Sequence, residues 1–272
     1  FLMDMKDVAE RGLVLLGCGK MGSAMLAGWL KGGLPNTSVW VIDPFPSDWV
    51  QAQGVHVNAE LPANPALVLI AVKPQMMGEA LPTLAAMGSD TLFVSVAAGT
   101  SLATYEAALG ADSAIIRCMP NTPAALGQGI TALIGNANVS EDQLALSEAL
   151  LQAVGQTVRL ESEDQMDAVT ALSGSGPAYV FHMIECLAAA GEAEGLSPEL
   201  AMKLAQATVA GAGALAEGAD ETPAQLRVNV TSPNGTTQAG LEVLMDENTG
   251  LPPLVRATVK AAADRSRELG RG

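Results

Sequence analysis

Over the first 160 or so positions, apolar residues gather into short runs that are hydrophobic at nearly every position: Leu13–Leu16, Val39–Ile42 within Ser38–Asp43, Leu67–Val72, Leu92–Val96 and Ala114–Cys118. Each run is too short for a helix and is followed by a segment of helix length. Runs that do not alternate predict strands buried on both faces, and their alternation with helices predicts a parallel, doubly wound sheet. Gly129–Ile134 and Gln156–Leu160 read as further strands flanking a helix over Glu141–Val154, which, with the loop-to-strand connection at His56, would complete an eight-strand sheet.

The pattern changes at the acidic stretch Glu161–Asp164, where strand signals stop. Beyond it apolar residues recur at helical spacing over Tyr179–Glu194, Ser197–Ala216, Ala239–Asp246 and Leu254–Leu269. Ser197-Pro198-Glu199 is a good helix start, since Ser can cap and Pro fits the first turn. The pattern therefore predicts a sheet domain over residues 11–162 and an all-helical domain over 163–272. Ala210, Gly211, Ala214 and Gly218 give one helix a small-residue face that permits close packing. A helical domain of roughly 100 residues with few aromatics buries modest area, so it is expected to complete its core against a second copy of the chain.

The first strand runs into Gly17-Cys18-Gly19-Lys20-Met21-Gly22, with a helix predicted over Ser23–Lys31. In that context Gly17 permits the tight turn, Gly19 lets backbone approach a pyrophosphate, and Gly22 allows close packing of helix on strand. This predicts an α/β, Rossmann-type doubly wound sheet, with Gly17, Gly19, Lys20, Met21 and Gly22 as cofactor-binding candidates. The second strand ends in Asp43, where an acid can bind the adenosine ribose hydroxyls and would repel a 2′-phosphate. The following Pro44-Phe45-Pro46-Ser47 holds no Arg or Lys, so between NADPH and NADH the sequence leans to NADH. Lys20 and Ser47 are the groups available to offset a phosphate. Asp43 also fits a plain strand-end turn residue ahead of Pro44.

Ligands of such sheets bind beyond the C-terminal ends of strands, which makes Ala71-Val72-Lys73-Pro74, Ala97-Ala98-Gly99-Thr100 and Met119-Pro120-Asn121-Thr122-Pro123 informative. Lys73 read as a surface cation, and Pro120 and Pro123 as chain stops, remain equally open. In the second half, Val228–Leu244 reads as a polar loop, with a turn at Pro233-Asn234-Gly235, feeding a helix start. Free amides of Gly235, Thr236 and Thr237 at the positive end of that helix make a seat for a small carboxylate, with the hydroxyls of Ser232, Thr236 and Thr237 to orient it. The same threonines also fit a simple cap. Ala171–Tyr179, rich in Gly and Ser, reads as either a hinge or a ligand-contacting segment.

Composition narrows the chemistry. The 272 residues are 49% hydrophobic, ample for a buried core, and carry a net charge of −15 with only 14 Lys and Arg. That balance argues against a nucleic-acid or anionic-membrane partner. Apolar runs fall far short of the ~18 to 20 residues that span a bilayer, and Asp4, Lys6, Asp7 and Glu10 stand where a signal-peptide core would be, so a cytoplasmic protein is expected. Cys18, Cys118 and Cys186 are far apart and form no metal or disulfide pattern, so no metal is expected. Two histidines, His56 and His182, leave little for a Ser-His-Asp hydrolase. His182 lies in an apolar helical pattern and His56 in a loop-to-strand connection.

The run Val230-Thr231-Ser232-Pro233-Asn234-Gly235-Thr236-Thr237, followed by Ala239-Gly240-Leu241, resembles the signature of the pyrroline-5-carboxylate reductase family. It departs at Asn234, where the family usually has a second glycine; Asn tolerates the left-handed region, so the turn is expected to survive. The glycine loop, the loops after the third to fifth of these strands and Ala171–Tyr179 resemble the family as well, six motifs from Gly17 to about Leu244. The resemblance implies NAD(P)H-dependent reduction of the imine 1-pyrroline-5-carboxylate to L-proline by a homodimer or an assembly of dimers. It implies Val72, Lys73 and Pro74 as cofactor-lining, Met119, Pro120 and Asn121 as the floor near the reacting carbon, and Ser175 beside the substrate. Ser232, Gly235, Thr236 and Thr237 would hold the substrate carboxylate. Thr237 is the candidate proton donor, with Ser232 assisting and Ser175 and Asp220 as secondary candidates. The alternative is another imine or hydroxyacid reductase of the same two-domain architecture; many hydroxyacid dehydrogenases employ a helix-start lysine in the second domain, whereas here that domain offers only Lys203 and Lys260, neither in a substrate-loop motif. A nucleotide-sensing protein without turnover would lack a reason for the Ser232–Thr237 loop.

Overall fold

The structure, a computed structural model, describes residues 5–85, 87 and 90–270. Eight strands form one sheet: β1 Leu13–Leu16, β2 Val39–Ile42, β3 His56–Val57, β4 Leu67–Ile70, β5 Leu92–Ser95, β6 Ala114–Met119, β7 Gly129–Gly135 and β8 Gly155–Arg159. Their order is β3-β2-β1-β4-β5-β6-β7-β8. Every position of β1, β4, β5 and β6 is buried. Successive side chains of a strand point to opposite faces, so a run buried on both must be apolar throughout. In β1, Leu13 and Leu15 join the cluster around Trp29 and Met25, while Val14 and Leu16 join the one around Tyr105 and Ile70.

The expected parallel order holds from β3 across to β6, and breaks at β7, which runs antiparallel to β6 before β8 pairs parallel to β7. The cause is connection length. Between Met119 and Gly129 the chain has only a 3-10 turn, Thr122–Leu126, too little for a parallel crossover, whereas helix Glu141–Leu151 carries it from β7 to β8. The first long helix begins at Lys20, inside the glycine loop, instead of Ser23. Two short helices, Lys6–Arg11 and Asp48–Gln51, lie outside the periodic pattern.

The chain divides into two compact units, one running to Gly174 and including the segment from Ala263 onward, the other Ser175–Ala262. In the second unit, helices Gly176–Ala193 and Pro198–Gly218 pack through small residues. A Cβ added at Gly191 would lie 3.3 Å from the Ala201 Cβ, and the buried apolar residues there are Ala188, Ala201 and Ala205. The small-residue face expected to pack, Ala210, Gly211, Ala214 and Gly218, is exposed within this chain. Helix Pro223–Asn229, capped by Thr222, takes in the first two residues of the stretch expected as loop. Helices Thr236–Leu244 and Leu251–Leu269 complete the chain.

Candidate functional site

In the first unit the sheet reverses direction of build between β1 and β4, so the loops after these two strands border the crevice in which open α/β sheets bind ligands. Gly17, at φ +88°, donates its amide to the Ile42 carbonyl at 2.8 Å. A Cβ there would sit 2.9 Å from the Ala71 carbonyl oxygen, and one at Gly22 would sit 2.5 Å from the Gly17 oxygen, so neither position admits a side chain without a shift of backbone. Gly19 differs: its Cβ would meet nothing within 4 Å. It caps helix Lys20–Lys31, whose first turn has no side-chain cap and no acidic residue. Open space in front of uncapped amides at a helix start fits a pyrophosphate, and Lys20 adds an exposed cation.

Asp43 has more partners than its sequence context indicated. Its carboxylate accepts the Cys18 amide at 2.7 Å and the Phe45 amide at 2.8 Å, tying the end of β2 to the glycine loop. The Asn58 side chain grips the Asp43 backbone from both sides, accepting its amide at 3.0 Å and donating to its carbonyl at 2.8 Å. A carboxylate offers about four acceptor sites, so two remain for ribose hydroxyls. Ser47, considered as a counter to a phosphate, instead accepts the Val50 amide at 3.3 Å as a helix cap. Cys18 is buried, and burial pushes its thiol pKa up, with the Asp43 charge adding to the rise and a Ser23 hydrogen bond opposing it.

Val72 is half-buried and lies within 3.0 Å of the position a Gly17 Cβ would take; Lys73 is exposed; Pro74 opens the 3-10 turn Pro74–Met76. At the end of β6, Met119 and Pro120 are buried, and Asn121 accepts the Ile130 amide at 2.9 Å, fixing the start of β7. The sequence reading passed over Arg117 and Glu163. Arg117, 7% exposed within β6, pairs with Glu163 at 2.6 Å, and the same Glu163 oxygen accepts the Leu102 amide at 2.9 Å at the start of helix Leu102–Leu109. A charge inside an otherwise apolar strand was the signal. They border a polar cavity of about 570 Å³ together with Ser101, Asp167 and Ser266.

In the second unit, Ser232, Gly235, Thr236 and Thr237 fall in one loop and the helix start that follows it. Asn234 takes φ 56°, the left-handed conformation a glycine would adopt, and its amide donates to the Gln238 side chain at 2.8 Å. The Gly235 amide, expected free, donates to the Ser232 carbonyl at 3.0 Å and closes the turn. Gly235 is the N-cap of helix Thr236–Leu244, so neither threonine caps it, and no side chain does. The amides of Thr236 and Thr237 head the helix, both residues are exposed, and among the described residues the hydroxyls of Ser232, Thr236 and Thr237 have no partner. A cleft of about 440 Å³ lined by Arg227, Val228, Leu241 and Met245 lies beside this loop. Ser175 heads a different helix, Gly176–Ala193, with its carbonyl accepting the Ala178 amide at 3.0 Å.

The histidines offer no obvious acid. His56 stacks on Trp40 with ring centroids 4.4 Å apart, and exposed His182 bonds Glu185 at 2.8 Å. Among the described residues no group of three His, Cys, Asp or Glu could hold a metal ion, and no helix is long and apolar enough to cross a membrane.

Residues 163–269 match the family described as pyrroline-5-carboxylate reductase dimerisation, and residues 12–99 match NADP oxidoreductase coenzyme F420-dependent. A pyrroline-5-carboxylate reductase of Pseudomonas aeruginosa is 40% identical over 264 residues, 94% of this chain and 96% of its own length. Among solved structures, a pyrroline-5-carboxylate reductase from Coxiella burnetii superposes with a TM-score of 0.89 at 35% identity, covering 95% of this chain and 98% of that one. The pyrroline carboxylate reductase of Plasmodium falciparum, solved with NADP bound, gives 0.83 at 28% identity, covering 96% and 99%.

Proposed function

The chain belongs to the pyrroline-5-carboxylate reductase family, and from that premise we propose how its residues carry out the NAD(P)H-dependent reduction of 1-pyrroline-5-carboxylate to L-proline. The observation that carries the reading is the start of helix Thr236–Leu244, which no side chain caps, with the hydroxyls of Ser232, Thr236 and Thr237, unpartnered among the described residues, in the same segment. The substrate carboxylate sits on the amides of Thr236 and Thr237, where the helix dipole favours negative charge. Gly235 shapes the turn that aims them, and the Ser232 hydroxyl adds a donor, with Ser175 as a further substrate contact. When bound, the reduced nicotinamide supplies the hydride that adds to the imine carbon.

The imine nitrogen must gain a proton as that carbon is reduced. A threonine hydroxyl is too weak an acid to lose its proton outright, so Thr237 acts by donating a hydrogen bond to the nitrogen and relaying the proton from water, assisted by Ser232. Positioning supplies most of the rest, since holding the reacting atoms in line removes several kcal/mol of barrier.

Gly17, Gly19, Lys20, Met21 and Gly22 hold the pyrophosphate, Asp43 takes the adenosine ribose, and Val72, Lys73 and Pro74 line the cofactor, with Met119, Pro120 and Asn121 as further cofactor-lining residues. Asp43 and the cation-free loop behind it favour NADH over NADPH in this chain. The helical unit joins a second copy, as its match to a dimerisation family supports.

Thr237→Ala tests the chemical role. Turnover is expected to fall at least ~10-fold while the Kd for NADH, read by fluorescence titration, stays near the wild-type value. Unchanged turnover would remove Thr237 from the reaction.

A further inference from the structure

Phe45 is 89% exposed, the most exposed large hydrophobic side chain among the described residues. It is not on a loose loop. Its amide bonds the Asp43 carboxylate at 2.8 Å, the Asp43 backbone is held by Asn58, and the carbonyl of Pro46 accepts the Gln51 side chain at 3.2 Å. Pro44 and Pro46 restrict the backbone on either side. Asn58 makes its grip at φ 49°, a conformation that is uncommon outside glycine and that persists where surrounding contacts over-determine it. A rigid brace thus presents one aromatic ring to solvent.

The position of the brace gives the ring a ligand. One Asp43 oxygen holds the Phe45 amide while the other holds the Cys18 amide of the glycine loop. Phe45, two residues beyond the acid proposed to bind the ribose, therefore stands at the adenosine end of the glycine loop. An adenine offers a flat face, and base-on-aromatic stacking needs no hydrogen-bond partner from the ring. We infer that Phe45 is the adenine platform of the dinucleotide site and that Asn58 is the residue that positions it, through Asp43. This rests on the proposed cofactor-dependent function and adds to it a residue that sets affinity for the adenosine half. The ring would recognise adenine alone and leave the choice of ribose or ribose phosphate to Asp43.

Fluorescence titration of the full-length protein with NADH, with ADP-ribose as competitor, and with reduced nicotinamide mononucleotide, which lacks adenine, provides the test. Phe45→Ala is expected to weaken NADH and ADP-ribose roughly 5- to 30-fold, as loss of one stacking contact implies, and to leave the mononucleotide Kd unmoved. Phe45→Trp, which keeps an aromatic face, is expected to retain NADH affinity. Equal NADH affinity in wild type and Phe45→Ala would overturn the inference, as would a loss shared by NADH and the mononucleotide, which would mark Phe45 as scaffold. A wild-type protein that binds neither NADH nor NADPH would overturn the proposed function itself, a result distinct from the other two.

Discussion

Asp43 is a scaffold residue by its bonds to the glycine loop and to Asn58, and the proposed ribose contact would give it a second role. Its position at the end of β2 was legible from spacing, as was the requirement for glycine at 17 and 22, because both follow from backbone geometry that the sequence encodes locally. Its bonds to Cys18 and Asn58 were not legible, since these residues lie 25 and 15 positions away. Asp43→Ser is therefore expected to change the choice of cofactor. Removing the charge should lower the ratio of NADH to NADPH affinity about 5- to 10-fold, roughly 1 kcal/mol, measured as two Kd values. An unaltered ratio would leave Asp43 as a brace alone. Thr237 was legible as a helix-start residue, but that Gly235 and not a threonine would be the cap depends on the turn closing through Ser232, which only the folded loop shows.

Elements were read best where both faces of a strand are buried. The centres of β1, β4, β5 and β6 fell where the unbroken apolar runs placed them, while β3, two residues long, carried no pattern at all. The antiparallel β7 was implicit in the nine-residue gap after Met119 and was overlooked because its own apolar run looks like the others. Helix Pro223–Asn229 had a Thr-Pro start but is too short for periodicity to declare itself. The join of β6 to helix Leu102–Leu109 through Arg117 and Glu163 crosses 61 positions of sequence and has no local signature. Removing Glu163 leaves a largely buried guanidinium without the carboxylate it pairs with, and Glu163→Ala is expected to lower unfolding free energy by about 2 to 3 kcal/mol, visible as a lower urea midpoint. A loss under ~0.5 kcal/mol would make the pair equivalent to an exposed one.

At the scale of the molecule the helical unit stands out for what it leaves uncovered. Its buried apolar residues are alanines, while Phe181, Leu187, Leu200, Leu204 and Leu215 are each more than two-fifths exposed. Such a surface on helices that have so little internal core fits association with a second copy, which the small-residue composition had already indicated. The exposed face at Ala210, Gly211, Ala214 and Gly218 is open to the same use. Light scattering after size exclusion is expected to give a dimer or larger, and Leu204→Glu is expected to shift the population toward monomer; a wild-type monomer at micromolar concentration would contradict this. The reaction itself is tested by oxidation of NADH, and separately of NADPH, by purified protein with 1-pyrroline-5-carboxylate, with the product identified. Cofactor oxidation is expected to be matched mole for mole by L-proline and to be faster with NADH. Cofactor binding without proline formation would contradict the proposed reaction.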